Sequence, residues 1–98
     1  YIFESVDGAA AVYFNNDNNT TDTDSSTLHT MEDDTFVTLA AYYDGGTTIK
    51  LFVNDVLTET LTSITIPGAE MAVGFGYING AAGAETADVD YIFVAKER

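Results

Sequence analysis

The chain has 98 residues, no cysteine and a formal net charge of −13, from 16 acidic and 3 basic side chains. These values exclude disulfides, thiolate metal sites and a cysteine nucleophile, and they oppose binding to nucleic acid or an anionic membrane, which needs clustered Lys and Arg. With 46% hydrophobic residues and twelve Phe plus Tyr, the chain has material for one folded core and is read as a single domain, 1–98, or a fragment of one.

In chain order, the period is two nearly throughout, and helix signals are almost absent. Residues 1–6 (YIFESV) alternate as a strand, and Asp7-Gly8 is a turn pair suited to a tight hairpin. A return strand is expected over 9–15, where Val12, Tyr13 and Phe14 outweigh the three alanines that precede them. Residues 16–27 (NDNNTTDTDSST) are polar and short-chained, which predicts a surface loop. LHTM makes a short strand, Glu32–Asp34 a turn, and 35–43 (TFVTLAAYY) a strong strand. The turn at Asp44-Gly45-Gly46 leads into TTIKLFVN, with Ile49, Leu51 and Val53 on one face. Asn54-Asp55 forms a tight turn into VLTETLTS, followed by a short extended piece ending near Pro67. A further strand covers 69–78, where Gly74 and Gly76 share a face open to close approach by another group. The last strand runs from 86 or 87 to about 95. It carries Val89, Tyr91, Phe93 and Ala95 on one face and Ile92 and Val94 on the other, so both faces are expected to be covered. Seven or eight short strands with turns every 8–12 residues predict an all-β, mostly antiparallel sandwich or barrel.

The stretch from Phe36 onward resembles the concanavalin A-like, laminin-G-like jelly roll. The matching residues are Phe36, Leu39, Tyr43-Asp44-Gly45 and Leu51-Phe52-Val53-Asn54-Asp55, then Ile66-Pro67, Phe75-Gly76, Asn79-Gly80 and the closing VDYIFVAKER. Their order and spacing look most like versions found in tailed-phage virion proteins, in head-decoration or fibre-associated subunits. Asp55 stands where that family usually has Gly. The family's sandwiches also carry more strands, which implies either the C-terminal part of a larger sandwich or edges covered by a partner chain or loop. The resemblance implies a non-enzymatic jelly-roll β-sandwich on a virion surface. It would contact capsid or sibling subunits and be oligomeric. The alternative is an extracellular, carbohydrate-binding lectin-like module, against which the absence of Trp counts.

Individual sites follow from the same residues. A glycosidase relative of this fold alternates acidic residues on one strand, but Glu85 falls out of phase with Asp88 and Asp90. Retaining chemistry also needs carboxyls about 5–5.5 Å apart with unequal pKa values, so no catalytic residue is assigned. Asp22–Asp33 lacks the Gly and Glu that an EF-hand requires at its sixth and twelfth places; Thr27 and Asp33 stand there. A looser calcium site would draw on Asp17, Asp22 and Asp24. His29, the single histidine, is read as a strand or surface residue. Glycines 74, 76, 80 and 83 have no helix start or Lys with which to cradle a phosphate. The aromatics Tyr13, Phe36, Tyr42, Tyr43, Phe52, Phe75, Tyr77, Tyr91 and Phe93 are assigned mostly to the core. Tyr42 and Tyr43 face opposite ways, so one is free for contact. Interface candidates are Tyr42, Tyr43, Ile92, Val94, Lys96 and Arg98, the last two being two of only three basic residues in the chain.

Overall fold

A computed structural model describes residues 1–5, 10–16, 24–64, 74, 76 and 86–96. Contacts divide the chain into two units, Tyr1–Gly68 and Ala69–Arg98. The first unit is all-β, and its strands form two antiparallel three-stranded sheets. One sheet orders β1 (Ile2–Ser5), β2 (Ala11–Asn15) and β3 (His29–Thr30). The other orders β4 (Leu39–Tyr43), β5 (Ile49–Val53) and β6 (Val56–Leu61).

The two sheets meet through one apolar cluster. Phe14 and Leu28, from the first sheet and its flank, pack with Ile49, Leu51, Leu61 and Ile64. Phe3 and Val53 border this cluster, and the Phe3 and Phe14 rings meet edge-on at 5.1 Å and 70°. Alternation explains the membership. In β2, Val12 and Phe14 are buried while Tyr13 is half-buried, and in β5, Ile49 and Leu51 are buried while Lys50 is exposed.

Turn chemistry matches the sequence in the second sheet. Asn54 (φ 49°) and Asp55 (φ 65°) are both left-handed, as a two-residue hairpin requires. Asn54 also ties the turn to the start of β4. Its backbone N–H donates to the Thr38 carbonyl at 2.9 Å, and its Oδ1 accepts from the Thr38 N–H at 3.0 Å. At the other end, Asp44 Oδ1 accepts from the Gly46 N–H at 2.8 Å, and Gly45 takes φ 82°.

Three expectations need correction. A two-residue Asp7-Gly8 turn would set Ser5 opposite Ala10, whereas Ser5 stands opposite Val12. The register is thus shifted by two residues, and because that number is even, Phe3 still shares a face with Phe14; Asp7 and Gly8 themselves lie outside the described residues. The strong strand expected over 35–43 begins its ladder only at Leu39, and Phe36 is 70% exposed. Residues 86–96 belong to no ladder among the described residues, and Tyr91, Ile92, Phe93 and Val94 are all more than half exposed. Alternating apolar residues dictate which way side chains point, but a strand also needs a paired backbone, which alternation does not supply. Among the described residues, an added Cβ at Gly74 or Gly76 would meet nothing within 4 Å.

β2 departs from regular pairing on its β3 side. Val12 stands opposite His29, while the Leu28 N–H also donates to the Val12 carbonyl, so two residues face one. Further along, Ser25 replaces a ladder partner with its side chain. Its Oγ accepts from the Phe14 N–H at 2.8 Å, and its own N–H donates to the Phe14 carbonyl at 3.0 Å. Thus 24–27, the end of the polar stretch read as loop, follows the sheet and brings Leu28 into the core.

Candidate interaction surface

The face of the second sheet turned away from the core is set by register. Ala40 stands opposite Phe52, and Phe52 opposite Leu57; Tyr42 stands opposite Lys50, and Lys50 opposite Thr60. Cross-strand partners share a face, so these six residues form two rows on the outer surface. Leu57 joins them because of a register break. Leu51 pairs with Glu59, but Phe52 pairs with Leu57, leaving Thr58 as an extra residue in β6. Without that bulge, strict alternation would put Leu57, Glu59 and Leu61 on one face. With it, Leu57 lies outward and 50% exposed, whereas Leu61 is buried at 6%.

Glu59, opposite Leu51 and on the same face as Leu61, reaches the first sheet. Its Oε2 accepts from the Ser26 N–H at 3.0 Å and the Ser26 hydroxyl at 2.6 Å. This carboxylate clips β6 to the segment leading into β3. Charge-assisted bonds of this kind are short and strong, although solvent reaches this pair.

Tyr42 is half-exposed on the outer face, while Tyr43, on the other side of the strand, is also exposed. The Tyr43 hydroxyl donates to the Gly46 carbonyl at 2.8 Å, which folds the ring over the β4–β5 turn. Both tyrosines therefore lie at the surface. Partial burial raises the Tyr1 phenol pKa above its ordinary value, and the Tyr43 phenol adds to that rise.

The remaining candidates scatter. Asp17 and Asp22 lie outside the described residues; Asp24 is exposed, and no group of three metal-ligating side chains occurs among the described residues. Asp88 and Asp90 are exposed, as are Ile92, Val94 and Lys96, while Arg98 lies outside the described residues. Phe75 and Tyr77 are outside as well. The core assignment of the aromatics is corrected for Phe36, Tyr42, Tyr43, Tyr91 and Phe93, all exposed, and Tyr13 and Phe52 are only half-buried. Aromatic residues favour strands, but each strand has two faces and the described core covers one of them.

Sequence reasoning missed Phe52 and Leu57 as surface residues. The inward set Ile49, Leu51 and Val53 already implied that Phe52 points outward. Leu57 depends on the bulge, for which VLTETLTS carries no Gly or other local signal. No protein-family model matches the chain, and no curated protein or solved structure does either.

Proposed function

We propose that the chain is a non-enzymatic structural subunit of a virion, of the tailed-phage capsid-decoration or fibre type, working through protein–protein contacts. The reading takes the jelly-roll resemblance of residues 36–98 as its starting point. It draws support from the all-β architecture of two antiparallel sheets. The observation that carries it is the outer face of the β4–β5–β6 sheet, where Tyr42 and Leu57 are each half-exposed beside Phe52. Apolar surface gathered on a sheet face is characteristic of contact with another macromolecule. In this reading the sheets supply a rigid platform, the outer face engages capsid or sibling subunits, and the acidic turns keep the assembled surface soluble.

A lectin-like function is the second reading, favoured by the exposed Tyr42 and Tyr43 next to the Asp44-Gly45-Gly46 turn. An antiserum against this domain, used on purified particles from the source culture, separates the two. The structural reading expects the chain at fixed stoichiometry in particles and silence on a glycan array. A chain absent from particles that binds one defined glycan at micromolar concentration overturns it.

A further inference from the structure

We infer that the outer face of the β4–β5–β6 sheet docks a protein surface with an apolar centre and a rim of lysine or arginine; this rests on the binding-subunit reading and assigns it a face and a partner chemistry. The centre is the row Ala40–Phe52–Leu57 with Tyr42 beside it. Leu57 is there only because Thr58 is bulged out, so one local irregularity moves a large apolar side chain from the core side to the open side. Bulges re-aim side chains in this way at functional edges.

The rim defines the occupant. Exposed acids stand at both ends of the sheet, Asp44 in the β4–β5 turn and Asp55 in the β5–β6 turn. Glu32, Asp33 and Asp34 are exposed ahead of β4. Lys50 is the one basic residue in these strands, and on the outer face its four-carbon stem extends the apolar row at Tyr42. A second copy would bring the same acidic rim and a charge of −13 against this one, which opposes self-docking. Nucleic acid and anionic lipid meet the same repulsion. A cationic rim around an apolar centre satisfies both features, and the acidic field would steer its approach.

The test is a random-peptide display library selected on the full chain and counter-selected on a Tyr42→Ser/Leu57→Ser variant, which has the same net charge. Enriched peptides are expected to combine aromatic or aliphatic residues with Lys and Arg. They should bind the wild type at least about ten-fold more tightly than the variant, and weaken as NaCl rises past the range where screening sets in. The variant should keep a cooperative melt close to that of the wild type. Enriched peptides that lack basic residues, or that ignore the substitutions, overturn the inference. So does a wild-type dimer in sedimentation that the variant loses, because a second copy then occupies the face. Loss of cooperative melting in the variant overturns it too, because the chain itself then covers the face. Each of these outcomes leaves the particle measurement of the preceding section unaffected, so failure of the face and failure of the function are read separately.

Discussion

Leu51 and Leu57 provide a paired test of the fold, because the same side chain sits on neighbouring strands and opposite faces. Leu51 is fully buried in the cluster with Phe14, Leu28, Ile49, Leu61 and Ile64. Replacing it with Ala removes the transfer energy of the lost carbons and leaves a cavity, which together cost about 2–5 kcal/mol in well-packed cores. Its ladder neighbours on the same face are Ala41 and Glu59. Ala41 is too small to fill the space, and Glu59 is held by Ser26, so relaxation is limited and about 3–4 kcal/mol is expected. Against a total stability of roughly 5–15 kcal/mol for a domain of this size, that is a large fraction. The corresponding fall in Tm is about 12–25 °C. Leu57→Ala deletes the same atoms from a half-exposed site and should cost less than about 1 kcal/mol. Urea titrations followed by far-ultraviolet circular dichroism measure both. Equal losses, or a greater loss at Leu57, would refute the bulge at Thr58 and the face assignment built on it.

Asp55→Gly should stabilise by about 0.5 kcal/mol, since a left-handed residue at φ 65° loses its Cβ penalty; a lower urea midpoint would contradict the hairpin geometry. Glu59→Ala removes the acceptor for both Ser26 donors and should cost about 1 kcal/mol, the value discounted because the bonds face solvent. Glu59→Gln, which keeps one acceptor oxygen, should recover part of that loss, and identical melts for the two variants would remove the clip. Self-repulsion at a net charge of −13 predicts a Tm that rises from low to moderate NaCl, as the screening length shrinks to roughly 8–10 Å; scanning calorimetry at fixed pH would show the opposite trend if repulsion is unimportant.

The parts of the fold legible in the sequence were those governed by short-range rules. Period two placed Ile49, Leu51 and Val53 on one face, and Asn54-Asp55 and Asp44-Gly45-Gly46 marked turns because few residues tolerate the backbone angles required there. The rest depended on which backbone pairs with which. Ser25 joins β2 through a hydroxyl, so a segment with loop composition follows the sheet. The β1–β2 register differs by two residues from the one an Asp7-Gly8 turn would set, a change that leaves every face unaltered and so leaves no trace in the hydrophobic pattern. The candidate surface was half legible. The opposition of Tyr42 and Tyr43 placed one of them at the surface, where both in fact lie, whereas Leu57 required a bulge that local composition does not announce.

The acidity of the chain serves the fold as well as any partner. Glu4 Oε1 accepts from the Asn15 side chain at 3.1 Å across the β1–β2 pair. Asp44 organises its turn, Glu59 clips the sheets, and Asp34 and Asp55 occupy left-handed positions that Asp tolerates better than most residues. In these places a short side chain or an oxygen acceptor is the requirement and the negative charge accompanies it. Amide replacement at Asp44 should therefore preserve its turn, while reversal to Lys should break it. Glu32, Asp88 and Asp90 are exposed and hold no such bond among the described residues. Altering that second group changes the electrostatic field at small structural cost, so it is the group through which attraction to a cationic partner can be adjusted independently of stability.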